Sequence, residues 1–540
     1  MTDGRKLTWR VRDLSAALAE SDDEVRSRVL RAVGVDEEVL AGFRIARRSL
    51  DARHRNLRFD LQADLVLPEG FRSAAFDRAI RSGRAVPQQE PGSLVVPERH
   101  TSLAGLRVAV IGAGPAGLFA ALALVRNGIE VDVVDRGAGL RQRGRAVAGF
   151  LRSRVPDPEN NLLYGEGGAG TYSDGKLYTR IDHPLEVPLL EELIAAGASP
   201  EIAIDSRAHI GTDRLHGILS RIRVGLEASG ARFHWNTRVD GWRVAASSRR
   251  IVALETSAGE LACDAVLLAP GHSARDTLTA LSEQGLAVEA KPFQFGVRVE
   301  HPQELITRAR HGTSREAQAL GPAYYGLVCK AGGGLPAVHS FCMCPGGQIV
   351  ASVNVPGLLC TNGMSNSRHS SPWANAALVV TLGPQDFGPG RFAGVHFQEE
   401  MESLFFAAGG SDYTAPSQRV PDFLSGNPTS TPGRSSYKLG IRSGRIDTLL
   451  PVRVRDALRR ALQHFDRSVP GFAGPEALLV GIESRSSGPV RILREPTSRR
   501  AVGIENLFPM GEGAGHAGGL MSAAIDGARS AQALLRFGIG

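Results

Sequence analysis

The chain has 540 residues, which is too long for one ordinary domain and predicts two to four of them. Hydrophobic residues make up 42% of the chain and charged residues 22%, as in ordinary globular proteins, and no apolar run is long enough to cross a membrane. The formal net charge of +7 comes from 58 arginines and only five lysines, a chain-wide bias without a basic arm, so binding of nucleic acid is not expected.

The first 85 residues are predicted to form a small N-terminal α/β module. LTWRVRDL and LRFDLQADLVL have the patterns of strands, and charged helical patterns cover residues 22–33 and 37–52 between them. Residues 86–104 contain three prolines and are predicted to be a linker. Because the N-terminal segment is charged and has no apolar run, it does not resemble a secretory signal, and we expect a cytoplasmic protein.

A nucleotide-binding unit is predicted directly after the linker. Residues 106–111 are an apolar, β-branched run typical of a buried parallel strand, and a glycine-rich turn, a helix and a second strand ending in Asp135 follow. Gly112 permits the tight turn, Gly114 lets a pyrophosphate approach the backbone, and Gly117 lets helix and strand pack closely. The spacing therefore predicts a dinucleotide site.

The chemistry of this unit narrows the choice of nucleotide. The pyrophosphate is expected on the helix that Pro115 and Ala116 open, because free N–H groups and the helix dipole favour negative charge there. Asp135 is placed to accept hydrogen bonds from a ribose, which favours FAD or NAD over NADP. Two further GxGxxG matches, at 165–170 and 513–518, lack the following strand and acid, so only the first has its full context.

The nucleotide domain is predicted to be interrupted by a second domain. An amphipathic helix pattern over 210–230 and three strand-like segments up to Gly271 continue the first part, which we place at 105–290. Residues 291–480 contain alternating strands such as FQFGVRVE, QIVASVNV and AALVVTL among glycines and prolines, as in an inserted substrate or cap domain. Residues 481–540 are predicted to return to the nucleotide domain.

The five cysteines do not predict a disulfide framework, because their number is odd and the chain is expected in a reducing compartment. Cys342 and Cys344 form a CxC pair, which differs from the CxxC of dithiol reductases. Inert buried thiols are the favoured interpretation, with a redox pair as the alternative. No metal site is predicted.

Four segments of the sequence carry a family resemblance: GAGPAG with VVDRG, YGEGGAGTYSDGKL, CDAVLLAPGHSARDT and NLFPMGEGAGHAGGLMSAAIDGARSA. In them the chain resembles the bacterial FAD-dependent dehydrogenases that carry an extra N-terminal α/β domain and, more distantly, the glutathione-reductase-type flavoproteins. The resemblance implies FAD as cofactor. It also implies a Rossmann-like α/β FAD-binding domain interrupted by an inserted α+β substrate domain and preceded by a small N-terminal α/β module.

The resemblance also implies which residues hold FAD. Glu512 takes the place of an acid that bonds to the ribityl chain, and Val239 the place where the backbone pairs with adenine. Gly518 and Gly519 open a C-terminal helix whose positive end is expected to stabilise negative charge on the flavin. The FAD-binding set is Gly112, Gly114, Pro115, Ala116, Gly117, Asp135, Arg136, Gly167, Gly168, Ser173, Lys176, Val239, Ala269, Gly271, Gly511, Glu512, Gly518, Gly519 and Leu520.

The expected activity is that of a dehydrogenase or reductase that transfers a hydride between FAD and a small organic substrate or a nicotinamide nucleotide. His516, Lys176 and Arg485 are the candidate catalytic residues, as acid or base and as positive charges. The sequence contains one complete dinucleotide unit, so a dedicated domain for NADH or NADPH is not expected. Either such a nucleotide docks transiently as the reductant, or the substrate itself reduces the flavin. A FAD-dependent monooxygenase and a flavoprotein acting on tRNA are the alternatives. The sequence predicts neither the substrate nor the oligomeric state.

Overall fold

The structure is a computed structural model, and it describes residues 5–51, 57–100, 103, 105–179, 181–246 and 248–539. The chain forms two compact units. The first consists of Met1–Ser93, Asp182–His209 and His311–Gly321, and the second of Leu94–Ile181, Ile210–Arg310 and Pro322–Gly540. The domain boundaries drawn from the sequence stay predictions.

The strands are numbered in chain order: β1 (Lys6–Ala17), β2 (Gly42–Asp51), β3 (Arg58–Pro68), β4 (Ala85–Pro87), β5 (Arg107–Ile111), β6 (Glu130–Val134), β7 (Arg232–His234), β8 (Val239–Val244), β9 (Ile251–Thr256), β10 (Gly259–Ala262), β11 (Ala265–Leu268), β12 (Val288–Ala290), β13 (Phe293–Pro302), β14 (Val328–Cys329), β15 (Val338–Cys344), β16 (Gly347–Ala351), β17 (Thr361–Ser365), β18 (Trp373–Leu382), β19 (Ala415–Arg419), β20 (Ile441–Ser443), β21 (Leu478–Glu483), β22 (Val490–Ile492) and β23 (Leu507–Pro509).

The α-helices are numbered likewise: α1 (Asp22–Val33), α2 (Ala74–Arg81), α3 (Pro115–Val125), α4 (Leu140–Ser153), α5 (Glu186–Ala195), α6 (Thr212–Ala228), α7 (Arg275–Glu283), α8 (Gln303–His311), α9 (Arg315–Ala319), α10 (Pro384–Phe387), α11 (Ala393–Gly409), α12 (Val420–Ser425), α13 (Ile446–Leu449), α14 (Val452–Ser468) and α15 (Leu520–Phe537). Among the described residues, none of these helices is both long and apolar enough to cross a membrane.

The first unit contains a four-stranded antiparallel sheet in the order β2-β3-β1-β4, with α1 and α2. α1 begins where Ser21 and Glu24 form a capping box, each side chain bonding to the other's backbone N–H, and it ends at Gly34 in a left-handed conformation. β1 and β3 alternate buried apolar and exposed residues, so one face of the sheet covers the core of this unit.

The helix predicted over residues 37–52 is wrong. Most of this segment is strand β2, which pairs with β3, while residue 52 lies outside the described residues. Pairing places Ile45 in the core, and the Arg44 guanidinium lies 2.9 Å from the buried Asp64 carboxylate on β3. The arginines of this segment are spaced as on the exposed face of a helix, but Arg44 pairs with an acid on another strand.

The second unit is built around a parallel sheet in the order β23-β11-β5-β6-β7. β5 lies at its centre, between β11 and β6, and β8, β9 and β10 form a small antiparallel sheet beside it. The chain leaves the parallel sheet after β11 and returns as β23. The predicted Rossmann-like fold with a late return is confirmed.

The segment between β11 and β23 forms a seven-stranded sheet in the order β14-β15-β18-β13-β21-β19-β20. β13 and β18 are central and mostly buried, which explains their near-continuous apolar sequences. α11 and α14 pack on this sheet through one large apolar core. This is the α+β insertion expected from the sequence.

Candidate functional site

The loop between β5 and α3 has the glycines that a bound pyrophosphate requires. Gly112 has a positive φ of 96°, and a Cβ on it would lie 2.1 Å from the Ala269 carbonyl oxygen. A Cβ on Gly117 would lie 1.8 Å from the Gly112 carbonyl oxygen. Gly114 caps α3, and its carbonyl accepts the first hydrogen bond of the helix, from the Leu118 N–H at 2.9 Å. The N–H groups before Leu118 therefore have no carbonyl partner within the helix. These groups form an anion site.

Asp135, at the end of β6, holds three loops together. Its carboxylate accepts hydrogen bonds from the N–H groups of Ala113 at 2.7 Å, and of Gly137 and Gly165 at 2.8 Å. Burial raises the pKa of Asp135, and these three hydrogen bonds oppose that rise. The structure therefore gives this residue a positioning role, while its predicted bond to a ribose stays a prediction.

A cavity lies at the carboxyl ends of β5, β6 and β11, where ligands bind in parallel α/β sheets. Gly112, Asp135 and Val239 all line it. The Arg136 guanidinium, also at this cavity, lies 4.5 Å from the centre of the Tyr164 ring and forms ion pairs with Glu159 and Asp276. The structure brings together four residues of the predicted FAD-binding set at this cavity: Gly112, Asp135, Arg136 and Val239.

The loop from Tyr164 to Leu177 lies directly against the β5–α3 loop. The Gly167 N–H donates to the Ala113 carbonyl at 2.8 Å, and a Cβ on Gly168 would lie 3.0 Å from the Gly114 Cα. Ser173 donates its hydroxyl to the Gly170 carbonyl at 2.7 Å, so it stabilises the loop itself.

Arg143, on α4, holds this loop in place, and the sequence analysis did not identify it. Its side chain is fully buried and donates to the carbonyls of Asn161 and Glu166 at 2.8 Å and of Gly168 at 2.7 Å. Burial lowers the pKa of Arg143 to about 10. No local signal could have found it, because its partners are backbone carbonyls of another segment.

The C-terminal return closes the site from the other side. A Cβ on Gly513 would lie 2.4 Å from the Gly271 carbonyl oxygen, and one on Gly527 would lie 2.0 Å from the Ala116 carbonyl oxygen. α15 therefore crosses α3 at very close range. Gly519 caps α15, and both it and Gly518 are exposed, so the N–H groups of the first turn, which begins at Leu520, are open to a ligand.

Glu512 lies beside the N-terminus of α15. Burial raises the pKa of its carboxyl to about 7, and the nearby Cys342 thiol acts in the same direction. Lys291 and a hydrogen bond from the Gly519 N–H oppose the rise. Glu512 is therefore poised to change its protonation state near neutral pH.

Lys176 is the only one of the three predicted catalytic residues whose contacts link it to Glu512. Its ammonium lies 3.8 Å from the Cys342 sulfur and 3.3 Å from the Asp174 carboxylate, and it donates to the Met343 carbonyl. Burial acts to lower the pKa of Lys176, but the neighbouring cysteines and Asp174 outweigh this effect and raise it. Lys176 therefore keeps its positive charge.

Arg485 and His516 have other partners. The Arg485 guanidinium is buried and binds both oxygens of Glu402, at 2.9 and 2.5 Å, as well as Asn354. The His516 Nε2–H donates to the Ile492 carbonyl at 2.9 Å, and burial and Arg494 lower its pKa to about 4, so this ring is neutral at pH 7. The structure gives Arg485 an ion-pairing role, and the catalytic roles of both residues stay predictions.

These residues fit FAD. The glycine loops leave no room for side chains at the β5–α3 turn, and two helix N-termini are open to negative charge. The bond of Glu512 to the ribityl chain stays a prediction. Among the described residues, no cluster of histidine, cysteine or acidic side chains could hold a metal ion. The fold and the site define a FAD-dependent oxidoreductase.

Comparison with known proteins agrees with this class. Residues 106–280 match a family described as pyridine nucleotide-disulphide oxidoreductase, and residues 292–486 match the C-terminal domain of FAD-dependent proteins. Residues 10–66 match a domain of unknown function. An uncharacterized protein of Clostridium beijerinckii is 36% identical over 530 residues, which cover 97% of this chain and 98% of that protein. The chain belongs to the same family of FAD-dependent oxidoreductases as this clostridial protein, and FAD is its cofactor.

Solved structures resemble the chain only remotely. Glycine oxidase from Bacillus cereus is 12% identical, with 79% of this chain and 94% of that chain covered and a TM-score of 0.32. L-Proline dehydrogenase from P. horikoshii is 13% identical, with 82% and 95% covered and a TM-score of 0.32. L-Amino acid deaminase from Proteus vulgaris is 11% identical, with 84% and 96% covered and a TM-score of 0.33. Likenesses this remote carry no information on the substrate.

Proposed function

We propose that the protein is a dehydrogenase or reductase that transfers a hydride between FAD and a small-molecule substrate beside the N-terminus of α15. The observation that carries the proposal is the meeting of two parts of the chain there. Glu512, from the nucleotide domain, is within electrostatic range of Cys342, from the inserted sheet, and Cys342 contacts Lys176. Titratable groups from separate segments thus surround the place where the flavin ring is expected.

FAD, when bound, supplies the two-electron chemistry, and the protein supplies orientation and protons. We propose that the first turn of α3 holds the pyrophosphate, that the cavity lined by Asp135 and Val239 holds adenosine, and that Glu512 bonds to the ribityl chain. Lys176 provides a fixed positive charge near the substrate. Arg485 acts as a positioning residue through Glu402.

We further propose that NADH or NADPH serves as a transient reductant, because the sequence has a single complete dinucleotide unit, at 106–135. The cytoplasmic location inferred from the N-terminal sequence also stays a proposal. The substrate is expected to be small and organic, because the basic residues are spread along the chain and form no basic arm for nucleic acid.

The test is the visible spectrum of the purified protein without oxygen, before and after NADH or NADPH is added. A flavin spectrum that either nucleotide bleaches would support a reductase that uses this donor. A flavin spectrum unchanged by both would overturn the donor assignment and leave a dehydrogenase that its own substrate reduces. The absence of flavin after incubation with free FAD would overturn the proposal.

Replacing Glu512 by glutamine is expected to remove a pH dependence of FAD binding. In the wild type, FAD affinity should rise with pH up to about 7 and then level off, because the ionised carboxylate accepts hydrogen bonds from ribityl hydroxyls more strongly than the neutral acid. The slope below this pH should not exceed about tenfold per pH unit. The dissociation constant, measured by flavin fluorescence from pH 5 to 9, checks this.

The matched control is Glu505→Gln, which changes a partly exposed acid that pairs with Arg250 at 3.0 Å. It should keep the wild-type pH profile. If the Glu512→Gln variant kept that profile as well, Glu512 would not be the titrating group.

A further inference from the structure

The CxC pair lies at a break in an otherwise regular sheet. β15 pairs with β18 through Phe341, the register then shifts, and pairing resumes at Cys344. Between these residues Cys342 has a positive φ of 46°, which is strained for a residue with a side chain. Such bulges redirect side chains next to functional sites. Here the bulge leaves Cys342 half-buried and Cys344 fully buried.

Two cations, the half-buried Lys176 and the fully buried Arg298, lie close to the two sulfur atoms. The Lys176 ammonium lies 3.8 Å from the Cys342 sulfur. The Arg298 guanidinium, from β13, lies 3.9 Å from the Cys344 sulfur and donates to the Cys342 carbonyl at 3.0 Å. Each cation also forms an ion pair with an acid: Arg298 with Glu483 at 2.6 Å, and Lys176 with Asp174.

These neighbouring groups give the two thiols different pKa values. A hydrogen bond with Cys344 lowers the pKa of Cys342 to about 6, and although burial opposes this effect, Lys176 and Arg298 reinforce it. The same hydrogen bond and burial raise the pKa of Cys344. Burial also raises the pKa of Cys263, to about 12, and of Cys360. The lowered pKa therefore sets Cys342 apart from Cys263, Cys344 and Cys360 and favours its thiolate at neutral pH.

We propose that Cys342 and Cys344 are a dithiol–disulfide redox couple that reacts with disulfide substrates through the Cys342 thiolate. The interpretation of both residues as inert buried thiols, favoured from the sequence, does not account for the half-buried position of Cys342, the adjacent ammonium and the bulge. The external substrate is a disulfide small enough to reach a half-buried thiolate beside Lys176.

The reaction balances as two exchanges. The Cys342 thiolate attacks one sulfur of the substrate disulfide, forms a mixed disulfide and releases one substrate thiolate. Cys344 then loses its proton and attacks the Cys342 sulfur, which releases the second substrate thiolate and leaves a Cys342–Cys344 disulfide. The substrate gains two electrons and the couple loses two. The return to the dithiol takes two electrons and two protons from reduced FAD, and this last step rests on the function proposed above.

The first measurement is the alkylation rate of each cysteine by iodoacetamide across pH 5 to 9, in the full-length protein with its FAD, followed by peptide mass spectrometry. Only thiolates react, so Cys342 should react alone at pH 7, with a midpoint at about pH 6. Lys176→Met should slow the reaction at pH 7 by about tenfold, because the thiolate loses its counter-ion. The exposed Lys438→Met serves as the control and should not change the rate.

The second measurement uses 5,5′-dithiobis(2-nitrobenzoate) as a probe disulfide. The wild type should release about two equivalents of the coloured thiolate at this site and end with Cys342 and Cys344 joined. Cys344→Ser should release about one equivalent and keep the adduct on Cys342. Two results with the wild type alone would overturn the inference. One is an adduct that stays on the protein, and the other is alkylation of Cys342 that is no faster than that of Cys263.

The outcomes separate this inference from the proposed function. If FAD is bound and reduced by a nicotinamide nucleotide while Cys342 is unreactive, the couple is disproved and the function stands. If the couple forms and resolves in a protein that binds no flavin, the proposed function is disproved and the dithiol chemistry stands. In flavin-containing protein, disulfide formation that anaerobic flavin reduction does not reverse would disprove the electron return from FAD.

Discussion

Replacing Gly117 by alanine is expected to abolish FAD binding and to destabilise the protein by about 3 kcal/mol or more. Its φ is ordinary, so the effect is purely steric: the added Cβ would lie 1.8 Å from the Gly112 carbonyl oxygen, which is backbone and cannot rotate away. Relief would require α3 to move away from β5, and the first turn of α3 is the expected pyrophosphate site. Flavin absorbance of the purified variant and urea unfolding check the two effects.

The same substitution at Gly149 is the matched control. Gly149 is also helical, on α4, but a Cβ there meets no atom within 4 Å. Gly149→Ala should therefore retain FAD and raise the free energy of unfolding by about 0.5–1 kcal/mol, because alanine loses less conformational entropy in a helix than glycine. Equal losses from both substitutions would contradict the close approach at Gly117.

Replacing Glu402 by glutamine is expected to lower the free energy of unfolding by about 3–5 kcal/mol. The Glu402 carboxylate is fully buried and binds two buried guanidiniums, those of Arg275 and Arg485, through both of its oxygens. Glutamine has nearly the same shape but no charge, so it would remove the ion pair of the buried Arg485 and leave Arg275 with only the more distant Glu399, at 3.6 Å. Denaturant unfolding at pH 7 measures the loss. Glu260→Gln, at an exposed pair with Arg243, should leave the unfolding midpoint unchanged.

The same cluster predicts how acid affects stability. Burial acts to raise the pKa of Glu402, but Arg485 and Arg275 outweigh this effect and lower the pKa to about 2. In an unfolded chain the pKa of a glutamate is about 4.3. A lowered folded-state pKa stabilises the fold above the unfolded value, and this stabilisation is lost as the pH falls from about 4 towards 2. In Glu402→Gln this part of the acid dependence should be missing. An unchanged acid profile would assign it to other carboxylates.

Contacts through Arg485 also connect Glu402 to the predicted nucleotide site. Arg485 also contacts Asn354, and the Asn354 amide donates to the Tyr164 hydroxyl at 2.8 Å. Tyr164 in turn stacks with Arg136 at the predicted adenosine cavity. A chain of contacts thus joins the buried ion pair of the insertion to the nucleotide domain. Loss of FAD together with stability in the Glu402 variant would follow from this connection.

The nucleotide-binding unit was predictable from the sequence because its parts are local. The strand, the glycine turn, the helix and Asp135 lie within 30 residues, so their spacing is visible in the sequence, although the contact that requires Gly112 comes from the remote Ala269 carbonyl. The glycines that open α15 are similarly local, since a helix N-terminus is determined by adjacent residues. These short-range patterns predicted a dinucleotide-binding fold for FAD or NAD, and the family resemblance implied FAD.

The sequence misled where a pattern was ambiguous between helix and strand. Residues 42–51 carry arginines at intervals that suit a solvated helix, but they form β2, because Ile45 packs into the core of the first unit and Arg44 reaches Asp64 on β3. Only pairing with a neighbouring strand decides such a segment.

By itself, the sequence determined the parallel nucleotide-binding sheet, the interruption by a second domain and FAD as cofactor. The tertiary structure alone decided which remote groups meet. Lys176 and Cys342 are 166 residues apart, and Glu402 and Arg485 are 83 apart, yet each pair is in contact. Such pairs leave no periodicity or spacing in the sequence. The first pair forms where the inserted sheet meets the nucleotide domain, and the second where α11 packs on the inserted sheet. This packing lowers the pKa of Cys342 and joins Arg485 to Glu402 in an ion pair.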